Sequence, residues 1–135
     1  MAGNYFYWIS TALLCLLYLS SAVIYIIRKD WVRQTIIGLG YPGYLVPILT
    51  AVKILFVAAI LSRFSVALSD LVYGAAFFHL LLSALAHIGI RKPGGALPAW
   101  IGLVLLITSF MTQNAARELP SPYATVSAEH RVTLN

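Results

Sequence analysis

Four long apolar runs constrain this chain more than any other feature of its sequence. They cover about Tyr5–Ile27, Tyr44–Leu61, Leu71–Ile90 and Leu97–Met111. A helix needs roughly 20 apolar residues to cross the ~30 Å hydrocarbon core of a bilayer. Within that core the backbone groups of an isolated span must bond to one another, which only a helix allows. The runs therefore predict an all-α integral membrane protein, a four-transmembrane-helix antiparallel bundle surrounded by the lipid bilayer.

The composition argues against a soluble globular protein. Of the 135 residues, 61% are hydrophobic and 10% are charged. Soluble domains contain about 45–50% apolar and roughly 25% charged residues. We predict one transmembrane domain over residues 1–116 and a polar tail over residues 117–135, whose prolines and polar side chains are typical of disorder.

The connection between the first and second runs is the longest of the three and has its own pattern. Val32, Ile36 and Leu39 recur at helical spacing, beside Trp31 and several basic residues. This pattern is typical of a short amphipathic helix that lies in the membrane interface. Glycines 38 and 40 should end it, and the sequence YPG should turn the chain into the second span.

The basic residues predict how the bundle is oriented. Five of them flank the membrane in the first and third connections, and two flank it on the other side. Because lysine and arginine accumulate on the cytoplasmic side, both termini should lie outside the cytoplasm. The net charge of +5 is mostly this loop charge, so it does not indicate a nucleic-acid partner. The five residues are Arg28, Lys29, Arg33, Arg91 and Lys92, and the two are Arg63 and Arg117.

Lys53 is the side chain that an apolar span explains least. It lies near the middle of the second run, where a lysine costs ~2.5–3.5 kcal/mol on insertion scales. We expect no carboxylate within any span, since Asp70 is expected in the connection before the third run. His79 lies at the same depth of the third run, which must neighbour the second. Lys53 and His79 are therefore predicted to face each other inside the bundle and to bind a ligand.

Further polar side chains are candidates for the same site. Thr50 lies one turn from Lys53, and Ser83 and His87 continue a stripe from His79 at i+4 and i+8. The two histidines are ~12 Å apart along a helix axis, too far to share a metal ion, so no metal is predicted. Side chains that can close the ring are Tyr18, Ser21 and Tyr25 on the first span, and Thr108, Thr112 and Gln113 on the fourth.

Two basic donors without an acid leave three ligands open: a quinone carbonyl, a small oxyanion, or an acidic side chain of a partner. Cys15 is the only cysteine, so dithiol chemistry within one chain is excluded. The sequence contains no nucleophile triad and no phosphate-binding glycine loop, and no catalytic residue is assigned from it.

Three segments together resemble the DoxX-like family of four-helix bacterial membrane proteins. They are YWISTALLCLLYLSSAVIYI, LGYPGYLVPILTAVKILFVAAIL and LVYGAAFFHLLLSALAHIG, and the resemblance covers about Tyr7 to Phe110. The family pattern is matched by Gly40, Tyr41, Pro42, Tyr44, Leu45, Pro47 and Lys53, and by Ala86 and His87. Relatives often have an acid where this chain has His79, which implies a Lys–His pair in place of a Lys–carboxylate pair.

The resemblance implies a location and a range of functions. It places the chain in the bacterial inner membrane, where the orientation expected from the basic residues makes both termini periplasmic. It implies a subunit of an oxidoreductase system that contacts another membrane or membrane-associated redox protein, with a loosely bound quinone as cofactor. The alternative is a non-enzymatic assembly or partner-binding protein. A small transporter component, which would have to form a homo-oligomer, is a third class.

Overall fold

The computed structural model describes residues 2–116 and 120–124 and is helical almost throughout. The helices are α1 (Ala2–Ile27), α2 (Lys29–Gly38), α3 (Leu45–Ser62), α4 (Val66–Gly89) and α5 (Leu97–Thr112). Short 3₁₀ segments, Pro93–Ala96 and Gln113–Ala116, flank α5.

Four helical segments are long and apolar enough to cross a membrane: Ala2–Ile27, Leu45–Ser62, Val66–Gly89 and Gly94–Ala116. The predicted four-helix membrane protein is therefore confirmed. α1 packs against α3 and α5, and α4 packs against the same two helices, so the four form a closed ring. Large apolar side chains such as Leu16, Leu55 and Leu71 point outward, as a surface surrounded by lipid requires.

Apolar side chains fill much of the interior of the ring. Its largest cluster contains apolar and aromatic side chains from all four long helices. Tyr18 of α1 stacks on Phe56 of α3 with ring centroids 4.5 Å apart, and Leu80 of α4 and Leu106 of α5 complete the cluster. This interior is the environment in which any polar side chain on the same faces must find a partner.

A helix is present in the first connection, as its periodicity predicts. Val32 and Ile36 of α2 are buried against Val46 of α3, whereas Trp31 is exposed and lies under the guanidinium of Arg28 at 5.6 Å. α2 thus covers the start of α3. Its depth relative to the bilayer interface stays a prediction.

The third span begins earlier than the sequence predicts, at Val66 and not at Leu71. The Ser65 side chain accepts a hydrogen bond from the Leu68 backbone N–H, which is a normal helix N-cap. The expectation that Asp70 lies in a connection is wrong, because Asp70 lies inside α4. Hydropathy begins the span too late because an aspartate lowers the local average even where its carboxylate is hydrogen-bonded.

The bundle has two ends, which we name for what they contain. The terminal end holds the start of α1 and the end of α5, together with the α3–α4 connection. The α2 end holds α2 and the α4–α5 connection. Of the predicted tail, residues 120–124 lie against the terminal end, where the Asn114 amide donates to the backbone carbonyl of Ser121. Residues 117–119 and 125–135 lie outside the described part.

Candidate functional site in the bundle interior

Lys53 of α3 is buried inside the ring, with 5% of its surface exposed. Its ammonium lies 4.4 Å from the centroid of the Tyr25 ring and 5.9 Å from that of Tyr18. In the described residues no carboxylate forms an ion pair with it; Asp70 is bonded at the terminal end, and Asp30 lies on α2. The faces of the Tyr18 and Tyr25 rings therefore border this cation.

His79 of α4 belongs to the same site. Its Nδ1 lies 3.1 Å from the hydroxyl of Tyr18, and the two rings are 5.8 Å apart. Lys53 is close enough to His79 for the two basic groups to interact electrostatically. Tyr18 therefore connects the two predicted residues: its ring borders the ammonium, and its hydroxyl bonds to the imidazole.

The proton on His79 sets the chemistry that it can offer. If Tyr18 donates to Nδ1, then Nε2 carries the proton of the neutral ring and is a hydrogen-bond donor. Nδ1 is already occupied by Tyr18, so any ligand must be met by the other nitrogen. The site then presents an ammonium and one imidazole nitrogen between aromatic walls.

The contact between α3 and α4, the helices that carry Lys53 and His79, is the least extensive of the ring. His79 is only half-buried, although the α4 residue that follows it, Leu80, is buried in the core. A ligand dissolved in the membrane would reach His79 before it reached Lys53.

The other three predicted residues have local partners. His87 has its Nδ1 2.9 Å from the backbone carbonyl of Ser83 on its own helix, and its ring fills the space beside Gly95. The Thr50 hydroxyl donates to the Val46 carbonyl one turn earlier. The structure thus brings together Lys53 and His79, with Tyr18 and Tyr25, and leaves His87, Ser83 and Thr50 engaged elsewhere or unconnected to them.

A second polar site was missed from the sequence. The Asp70 carboxylate accepts hydrogen bonds from the Ser121 hydroxyl, at 2.9 and 2.8 Å to its two oxygens, and from the Gln113 amide at 3.2 Å. Asn114 holds the Ser121 backbone N–H at 2.7 Å. Beside it, the Ser109 hydroxyl bonds to both Tyr73 and Thr11 at 2.6 Å. The signal available in the sequence was Ser65, a residue type that favours helix N-caps, five residues before Asp70.

A large cavity borders this second site and not the first. It lies between α4 and α5, has a volume of about 670 Å³, and is mainly apolar, with Asp70, Tyr73 and Phe110 among its lining residues. A large apolar cavity is ordinarily the first place to look for a ligand. Here its polar groups, Asp70 and Tyr73, already bond to the protein, so we assign the candidate site to Lys53 and His79.

Comparison with known proteins identifies the family. Residues 9–117 match the model of the DoxX-like family. The chain belongs to the DoxX-like family. No curated protein and no solved structure matches it. The match contains Tyr18, Lys53, His79 and Asp70, but it ends before Ser121, so the Asp70 site extends beyond the matched region.

Cysteine and metal chemistry are the two other kinds of chemistry to consider in this DoxX-like protein. Cys15 is a free cysteine buried in the core. Across residues 2–116 and 120–124, no group of three or more His, Cys, Asp or Glu side chains is placed to hold a metal ion.

Proposed function

We propose that this DoxX-like protein is a membrane subunit of an oxidoreductase system, and that Lys53 and His79 bind the carbonyl oxygen of a quinone. The observation that carries the proposal is the buried Lys53 ammonium, which has aromatic faces around it and no carboxylate paired with it in the described residues. We further propose that the chain lies in the bacterial inner membrane with both termini in the periplasm, from the distribution of its basic residues.

The free-energy cost of burying Lys53 favours a binding partner for its ammonium that the chain itself does not supply in the described residues. A lysine at the centre of a span costs ~2.5–3.5 kcal/mol on insertion scales and more in simulations. Contact with aromatic faces returns about 2 kcal/mol when the cation is desolvated. The remaining cost is met by nothing else in the described residues, so a ligand that accepts a hydrogen bond from Lys53 would lower the free energy of the site.

The shape and surroundings of the site favour a quinone over a small oxyanion. Tyr18, Tyr25 and Phe56 provide flat apolar surfaces that suit a ring. The least extensive helix contact of the ring is that between α3 and α4, and entry there would admit an isoprenoid quinone from the surrounding lipid. A small oxyanion would have to cross the apolar interior to reach Lys53, and it remains the second ligand to test.

A quinone titration tests this proposal. The detergent-purified protein should melt at a higher temperature as decylubiquinone is added, since a ligand that binds the folded state stabilises it. Lys53→Met and His79→Leu should each weaken the binding by about tenfold or more, because a hydrogen bond to a charged group contributes ~1.5–3 kcal/mol. His87→Leu should weaken it less.

Lys92→Met is the matched control, since Lys92 is exposed outside the helices, and it should bind as the native protein does. Sulfite and thiosulfate form a parallel arm; a Lys53-dependent response to these alone would assign the site to an oxyanion. If no ligand responds, and a membrane protein co-purifies in equal amount with the native chain but not with Lys53→Met, the site meets a partner's carboxylate and the quinone proposal fails.

A further inference from the structure

A small basic cavity lies at the α2 end, about two turns along α3 from Lys53. It has a volume of about 230 Å³ and is open to the surroundings between α2 and the start of α3. Two cations form one side of it, and apolar residues of α3 form the other. The lining residues are Lys29, Arg33, Gly43, Tyr44, Val46 and Pro47.

Gly43 leaves room for the Arg33 side chain, because glycine has no side chain of its own. A Cβ atom built on Gly43 would lie 2.6 Å from Arg33 Nε and 3.2 Å from its Cγ. The stem of Arg33 therefore lies directly on the Gly43 backbone. Among the described glycines, Gly40 has a positive φ and Gly43 does not. Glycine is therefore required at position 43 for space and not for its backbone conformation.

The two cations line the same cavity, and no carboxylate of the described residues neutralises them. Lys29 and Arg33 are four residues apart on α2, so they share a face. Asp30 is the nearest acid in sequence, yet in the described residues neither cation forms an ion pair with it. The cavity also adjoins the N-terminus of α3, the positive end of that helix dipole. This combination favours an anion.

At the start of α3 the backbone contributes few donors to that anion. The N–H groups of Leu45 and Val46 bond to the carbonyls of Pro42 and Gly43, and Pro47 has no N–H. The charged donors of the cavity are the Arg33 guanidinium and the Lys29 ammonium. A guanidinium can bond two oxygens of one phosphate at once.

We propose that this cavity binds the phosphodiester group of an anionic membrane phospholipid. The apolar side favours a lipid over a free phosphate. The exposed residues Tyr44 and Pro47 are followed along α3 by Ile48 and Val52, which are 49% and 44% exposed. An acyl chain can follow that surface while the phosphate stays between the cations. Basic groups beside membrane helices are known to hold anionic headgroups in this way.

The bound lipid would also hold α2 against α3. The described contact between these helices is a small apolar cluster, Val32 and Ile36 against Val46. A phosphate shared between Arg33 on α2 and the start of α3 adds a polar contact beside it. The protein should therefore be more stable in the presence of an anionic lipid than of a zwitterionic one.

Lipid binding by the full chain tests the inference. In detergent, the native protein should retain phosphatidylglycerol about tenfold more tightly than phosphatidylcholine, measured by native mass spectrometry and by melting temperature. Gly43→Ala should abolish this preference, because the new methyl group displaces Arg33 while the net charge is unchanged. Arg33→Gln, at an exposed position that tolerates the change, should do the same.

Arg91→Gln is the control, since Arg91 is an exposed arginine at the same end and does not line the cavity; it should keep the preference. Equal loss in Arg91→Gln and Arg33→Gln would mean a diffuse charge effect and would overturn the site. No preference in the native protein would also overturn it. Inorganic phosphate alone should not raise the melting temperature; a rise equal to that with phosphatidylglycerol would overturn the lipid assignment.

Discussion

Asp70 and Lys53 are both ionisable side chains on membrane-spanning helices, but the chain surrounds them very differently. Asp70 accepts hydrogen bonds from Ser121 and Gln113, side chains more than 40 residues away in sequence. Lys53 is more deeply buried, with 5% exposure, and meets the rings of Tyr18 and Tyr25. The protein stabilises one charge with its own polar groups and leaves the other with aromatic contacts.

This difference separates a structural charge from a functional one. Hydrogen bonds to charged groups contribute ~1.5–3 kcal/mol each, so the bonds at Asp70 hold residues 120–124 against the terminal end. The aromatic contacts at Lys53 contribute about 2 kcal/mol, which does not offset the cost of its burial. Removing Asp70 should therefore destabilise the protein, whereas removing Lys53 should not.

The largest effect is expected from Asp70→Ala. It removes the acceptor for both Ser121 and Gln113 and leaves their donors without that partner, so unfolding should become easier by about 3 kcal/mol. Melting in detergent measures this. Asp30→Ala is the control, because Asp30 lies exposed on α2, and it should change little. If the two variants have the same melting temperature, the claim that Asp70 stabilises the fold is wrong.

Ser121→Ala tests whether the C-terminal residues take part in this stabilisation. Ser121 is 2% exposed and its hydroxyl donates to the Asp70 carboxylate, so its loss should cost about 1.5 kcal/mol. The Asn114 contacts to its backbone remain in the variant. Ser62→Ala, at an exposed position, provides the reference. If Ser121→Ala melts at the same temperature as Ser62→Ala, residues 120–124 do not stabilise the bundle.

A smaller effect is expected from Tyr18→Phe at the other site. This change keeps the ring beside Phe56 and Lys53 and removes the hydroxyl bonded to His79. Polar contacts between membrane helices average ~0.6 kcal/mol, and the loss of stability should be of that order. Tyr5→Phe, at a residue that is 69% exposed, is the matched control. A loss as large as that of Asp70→Ala would mean that the Tyr18–His79 pair is structural.

Sequence reasoning placed Lys53 and His79 together because depth along a span is countable. Both lie near the middle of their helices, and a short connection forces α3 and α4 to be neighbours. The Asp70 site was not predictable in this way, because Ser121 is 51 residues from Asp70 and lies beyond the last span. Hydropathy assigns an aspartate to a connection whether or not distant residues bond it.

The basic cavity shows the same limit at the α2 end. The periodicity of α2 predicts a helix with Val32 and Ile36 on one face, and both are buried against α3. That Arg33 lies on the Gly43 backbone depends on how α2 returns towards the start of α3. The angle between α2 and α3 cannot be predicted from sequence periodicity, because it is determined by how the two helices pack.

The melting temperature of Lys53→Met tests the central claim most directly. Methionine has a similar length and no charge, so it should fill the space between Tyr18 and Tyr25 without the cost of burying an amine. The variant should melt at the same temperature as the native protein or higher, with Lys92→Met as the reference for the same substitution at an exposed site. A markedly lower melting temperature for Lys53→Met alone would contradict the account, because it would make Lys53 an internal structural donor.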